Sequence, residues 1–230
     1  MKKELRAPFF VVNPKAYLYG EKSLELALRA DELAEKYDVD VLFTVQHADA
    51  YRISQATENL IITVQHMDSL FPGRGMGYVL PESLVENGVS ATFLNHAEHP
   101  VQVSELVNVM KRADELDILT IVCADSIAEA KAIATLNPDI MICEPTELIG
   151  TGQSSDIEYM RGTNESVKSV NPDILVLQAA GISSPADVRK ALMSGADATG
   201  GTSGIVSAEN PVEMLESMLK ELADFREEQA

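Results

Sequence analysis

Short apolar, β-branched runs alternate with longer amphipathic segments along the whole of this chain, and that alternation limits the possible folds more than any single motif does. The first three runs are FFVVN at 9–13, DVLFTV at 40–45 and LIITVQ at 60–65. Further strands are expected near 90–94, 118–123, 139–143, 174–177 and 196–200. Between them lie helix-period segments at 21–37, 48–55, 81–87, 101–115, 125–135, 157–170, 184–194 and 211–226. The strands are apolar throughout rather than at every second residue, which marks strands covered on both faces and hence parallel pairing. Parallel neighbours joined through helices take right-handed crossovers. Eight such units in 230 residues close into a (β/α)8 barrel of the α/β class, slightly shorter than the usual ~250 residues. An open doubly wound sheet is the rival. It carries G-x-G-x-x-G after its first strand, where this chain has Asn13, Pro14 and Lys15, so the closed barrel is the better solution.

No Pro-, Gly- or Ser-rich stretch divides the chain, so residues 1–230 read as a single domain. The formal charge of −18 repels polyanions and argues against nucleic acid as a partner. A small anionic substrate then requires a local cluster of donors. There is no apolar stretch of the roughly 20 residues needed to cross a bilayer. Lys2, Lys3 and Arg6 precede an apolar run, but that run, from Pro8 to Val12, is too short for a signal peptide. The expected location is the cytoplasm. Cys123 and Cys143 each fall near the end of an inner strand and read as buried free thiols, since two cysteines alone do not build a zinc site.

In a barrel, catalytic groups gather at the C-terminal ends of the strands, however far apart they are in sequence. Those ends supply Asn13 and Lys15, Gln65 and His66, Asn95 and His96, Glu144, Gly181, and the segment Gly200 to Gly204. Lys15 is either a solvated surface charge or a cation for an anionic substrate. His96, ahead of a helix expected near Pro100, suits a neutral imidazole that donates from one nitrogen, because a helix N-terminus disfavours added positive charge. His66 reads as structural, and His47 and His99 as loop residues. Glu144, delivered by an apolar strand, is either a partly desolvated base or an ion-paired carboxylate. Glu147 reads as a hinge or surface contact. The Gly150-Thr151-Gly152 element has the character of a lid. GGTSGIVSAENP at 200–211 leads from a strand into a short helical turn, where the backbone N–H groups of Gly201, Thr202 and Ser203 could meet the demand for anion donors.

Six stretches in order, NPK (13–15), PGRGMGYVLPESL (72–84), LNHAE (94–98), CEPTELIGTG (143–152), AAGI (179–182) and GGTSGIV (200–206), resemble the triosephosphate isomerase family, in particular its shorter archaeal-type members. The resemblance implies a TIM barrel and an aldose–ketose isomerase. In that reading Glu144 is the base, neutral His96 polarises the carbonyl and Lys15 steadies the enediolate, a division of labour taken over from the family. It also implies substrate contacts from Asn13, from Ile149 and Gly150 of a mobile lid, and from Gly181, Gly201, Thr202 and Ser203. The implied substrate is a phosphorylated small sugar, with no metal or organic cofactor, and the third loop implies a homodimer or homotetramer. The chain departs from the family pattern at Pro14, Met76, Ala97, Thr146 and Ala179. Two alternatives therefore stay open: an isomerase for a different ketose or aldose phosphate, such as a four-carbon sugar phosphate, and a non-catalytic phosphate-ligand binding protein.

Overall fold

The computed structural model describes residues 1–144 and 155–229. Within them, eight parallel strands close into a barrel in sequence order: β1 (Phe9–Val12), β2 (Val41–Val45), β3 (Leu60–Val64), β4 (Ala91–Leu94), β5 (Leu119–Ala124), β6 (Ile140–Cys143), β7 (Leu175–Gln178) and β8 (Ala198–Gly201). Closure is made by β8 on β1, with Phe9 opposite Ala198 and Val12 opposite Gly201. Helices α1 (Gly20–Tyr37), α2 (Ala50–Ala56), α3 (Pro81–Glu86), α4 (Val103–Glu115), α5 (Ile127–Ala134), α6 (Ile157–Val170), α7 (Pro185–Met193), α8 (Ser203–Val206) and α9 (Pro211–Gln229) follow the strands. None of the described helices is long and apolar enough to cross a membrane.

The strands are apolar on both sides because they serve two cores. Phe9, Val11, Leu42, Ile61, Phe93, Ile121, Ile140, Ile142 and Leu177 form an inner cluster built from strand residues. The alternate positions, among them Phe10, Val12, Phe43, Ile62, Leu94 and Met141, join Leu26, Leu33, Val109 and Leu219 of the helices in an outer cluster. Successive strand residues point to opposite faces, so the inner or outer phase of each strand is fixed by its sequence. Phe9 and Phe93 bulk out the interior where Ala91 and Ala198 leave room. Cys123 and Cys143 are both buried free thiols, as expected.

Helix starts follow from capping. Ser126, Asp156 and Ser184 each accept a hydrogen bond from the backbone N–H three residues on, satisfying a donor the helix cannot pair internally. Two expected helices differ in detail. The segment near 48–55 divides into a 3-10 turn at His47–Asp49 followed by α2. The helix expected from 101 begins at Val103, because Gln102 is extended and the Val101 N–H is drawn to Asn95 Oδ1 at 3.2 Å.

Candidate active site

The mouth of the barrel holds a cavity of about 260 Å³ lined by Asn13, Lys15, His96, Glu144, Gly181, Gly201, Thr202 and Ser203, with Glu98, Tyr17 and Phe93 beside them. Eight of the residues singled out from sequence therefore meet around one space. Ile149 and Gly150 lie outside the described residues, as do Thr146, Glu147, Thr151 and Gly152. His66 lies off this cavity. Its ring packs 4.4 Å from that of His99, and its Nε2 is 3.4 Å from Asp68. His47 stands at the head of its 3-10 turn, where its Nε2 meets the His66 carbonyl at 2.6 Å.

Strand phase delivers Asn13 and Glu144. Phe9 and Val11 face inward, and Asn13 continues the series; Ile140 and Ile142 face inward, and Glu144 follows them. Backbone pairing runs on past β6, since the Glu144 N–H donates to the Ala124 carbonyl at 3.0 Å. Lys15 is held by its main chain, which adopts a left-handed φ of 48°. The Asn13 carboxamide accepts from the Lys15 N–H at 3.0 Å, and the Gln46 and Gln65 side chains donate to the Lys15 carbonyl at 3.0 and 2.8 Å. A non-glycine residue in that conformation needs such over-determination.

His96 hangs on a compact turn in which the His99 N–H donates to the His96 carbonyl at 2.7 Å. The Glu98 N–H donates to His96 Nδ1 at 3.1 Å. A ring nitrogen that accepts from a backbone N–H carries no proton, so the neutral ring bears its proton on Nε2. Burial holds the His96 pKa below the ordinary histidine value; Lys15 pushes the same way and Glu98 opposes. The helix starts at Val103 instead of near Pro100, so burial and a neighbouring lysine, rather than a helix dipole, favour the uncharged ring.

Burial also raises the Glu144 carboxyl to about 7, against the pull of Lys15 and with the help of Glu98. A carboxyl in that range changes protonation near neutrality, which is what a general base for a weak carbon acid requires. Lys15 Nζ lies 3.2 Å from Glu98, whose side chain is 62% exposed. That pairing is accordingly weak and exchangeable.

Opposite these groups, the loops after β7 and β8 bring main chain together. Gly181 takes a left-handed φ of 66°. A side chain at Gly204 would run into the Ile182 carbonyl, so the two loops can approach this closely only with glycine there. Sequence reasoning missed Gln46 and Glu129, and it left Glu98, a neighbour of His96, and Gln65, at a strand end, without a task. The one available signal was proximity, Glu98 standing two residues beyond His96.

The closed parallel barrel thus brings a carboxylate, an imidazole and a lysine to face glycine-rich loops across one cavity. Residues 8–218 match the family model described as triosephosphate isomerase. A protein of that name from Methanobrevibacter smithii is 38% identical over 223 residues, 95% of this chain and 100% of the relative. Those of Methanobacterium bryantii and Methanopyrus kandleri are 36% and 37% identical, covering 94% and 95% of this chain and 97% and 99% of the relatives. The chain belongs to the triosephosphate isomerase family, and triosephosphate isomerase is its activity.

Proposed function

We propose that Glu144, His96 and Lys15 carry the isomerisation of dihydroxyacetone phosphate and glyceraldehyde 3-phosphate. The observation behind this reading is that a carboxyl with a pKa near 7 and a neutral imidazole line one cavity of about 260 Å³. Ionised Glu144 removes a proton from the carbon beside the carbonyl, and the electron pair moves onto the carbonyl oxygen. His96 Nε2–H donates to that oxygen, and the Lys15 ammonium offsets the charge that develops. A second proton passes through His96 Nε2 from the neighbouring hydroxyl to the former carbonyl oxygen, and protonated Glu144 returns its own proton to the adjacent carbon as the other oxygen becomes the carbonyl, completing an aldose–ketose exchange with no net redox change. Asn13 orients the reacting end, while Gly181, Gly201, Thr202 and Ser203 hold the phosphate. A lid containing Ile149 and Gly150 belongs to the same reading, and its task is to exclude water from the enediolate.

Three further points belong to it. The chain acts as one domain in the cytoplasm. It forms a homodimer or homotetramer, for which the exposed Phe71, Met76 and Tyr78 of the loop after β3 offer apolar surface. A second substrate reading, a four-carbon sugar phosphate, is favoured by an adjoining groove of about 540 Å³ that extends past Lys15 and His96 toward Gln65 and His99.

A coupled assay with each triose phosphate, run on wild type, Glu144→Gln and His96→Ala, tests the assignment. Turnover of both trioses that collapses in both variants supports it. Turnover that Glu144→Gln or His96→Ala retains would remove that residue from the reaction, and solvent deuterium entering a four-carbon sugar phosphate as well would add that substrate.

A further inference from the structure

Of Lys15, His96 and Glu144, His96 is the one that strand alternation sends the wrong way. Ala91 and Phe93 belong to the inner cluster and Leu94 to the outer one. Continued alternation would point residue 95 inward and residue 96 outward. Instead His96 lines the substrate cavity, while Asn95 is absent from its lining and borders a second cavity of about 230 Å³, which it shares with His96, Cys123, Asp125, Glu129 and Glu144. The chain changes phase at Asn95, whose φ of 56° is left-handed.

The Asn95 carboxamide is fully engaged. Its Nδ2 donates to the Cys123 carbonyl at 3.0 Å and to Glu129 Oε1 at 3.2 Å, and its Oδ1 accepts from the Val101 N–H at 3.2 Å. Glu129 is itself fixed: its other oxygen accepts from the Asp125 N–H at 2.8 Å, and its own N–H donates to Ser126 Oγ at 3.2 Å. The carboxylate thus ties the loop after β5 to the residue that turns His96 inward. Asparagine tolerates the left-handed backbone better than most residues, but tolerance alone does not hold a conformation; the three hydrogen bonds do.

We propose that Asn95 and Glu129 form a positioning pair for His96, the Glu129 carboxylate holding the Asn95 carboxamide so that the backbone turn at Asn95 aims the imidazole into the cavity. Neither touches the reacting atoms. The inference rests on the assignment of His96 to the reaction, and His96→Ala in the same assay tests that assignment separately.

The experiment measures kcat and KM for dihydroxyacetone phosphate across pH, with thermal unfolding alongside, in Asn95→Asp, Glu129→Gln and the double variant. Asn95→Asp keeps the shape and the tolerance for positive φ but sets two carboxylates face to face. It is expected to lower kcat by about 10-fold or more, as for a reacting group displaced by under an ångström, with KM held within about twofold because the phosphate loops lie across the cavity. In the double variant the amide at 129 can donate to the carboxylate at 95 and still accept from the Asp125 N–H, while the Cys123 carbonyl stays without its donor, so kcat is expected to recover in part, by several-fold. A kcat for Asn95→Asp within about twofold of wild type overturns the proposal. So does a loss that Glu129→Gln leaves unrepaired while the double variant melts with wild type, and so does a loss appearing in KM instead of kcat. If His96→Ala retains full turnover, the assignment of His96 fails instead.

Discussion

At the N-terminal end of the barrel Lys2 sits between Asp114 at 2.6 Å and Asp139 at 2.7 Å, and Arg6 between Asp38 at 2.8 Å and Asp40 at 2.7 Å. At the C-terminal mouth Lys15 meets the largely exposed Glu98 at 3.2 Å, and Glu144 is pushed up to about 7 by burial. At the first end hydrogen bonds from Arg6 hold the Asp38 carboxyl below its ordinary value. Charge at that end is compensated by neighbours and closes the fold. At the mouth charge is left partly uncompensated, which costs stability and leaves groups ready to react. The same strands that end in an ion-paired collar at one side carry Glu144 and Asn13 to the cavity at the other.

Substitutions at the two ends should therefore separate activity from stability. The largest effect is expected from Glu144→Gln, which should lower kcat/KM by at least about 10³-fold, at the upper part of the range for a lost general base; activity within tenfold of wild type would show that another group takes the proton. The same variant should melt higher than wild type at pH 8. A carboxyl whose pKa rises from 4.5 to about 7 on folding gives stability that is present below pH 4.5 and lost as pH climbs through 7. Removing it should gain on the order of 2 kcal/mol at pH 8, after discounting for solvent at the cavity. Denaturant melts at pH 8 and pH 4.5 check the sign, since the gain should vanish at the lower pH.

Next in size is the pH profile. The acid limb of kcat/KM is expected near pH 7, where Glu144 titrates. Glu98 raises the pKa of Glu144 and also that of His96, so Glu98→Gln should move the limb to lower pH; movement upward, or none, would break the link between these carboxylates. The smallest effect belongs to the collar. Lys2→Ala should cost about 1 kcal/mol, as for a partly exposed ion pair, without changing kcat/KM. A change in turnover there would blur the contrast between the ends.

Much of this architecture was readable beforehand. Strands such as 40–45 and 60–65 were found to within a residue, and the helix over 157–170 coincides with α6, because continuous apolar runs and 3.6-residue periodicity are local properties. Asn13, Lys15, His96 and Glu144 could be placed at one mouth by barrel logic, and the cavity lining brings them together. The Glu98 carboxylate beside Lys15, the Gln46 and Gln65 amides on the Lys15 carbonyl and the Glu129 grip on Asn95 were not legible. Each joins residues from different strand–helix units, or depends on a backbone angle that no pattern of polarity encodes.

Periodicity of apolar residues along the chain determined the number of units, their parallel pairing, and the inward phase that carries Asn13 and Glu144 to the mouth. Those follow from steric repeat and burial, which act over neighbouring residues. Tertiary structure decided the rest: that His96 escapes its strand phase, that its Nδ1 accepts and its Nε2 keeps the proton, and that Glu144 titrates near neutrality. Protonation states depend on burial and on charges brought close by closure of the barrel, and neither exists until the eighth strand meets the first.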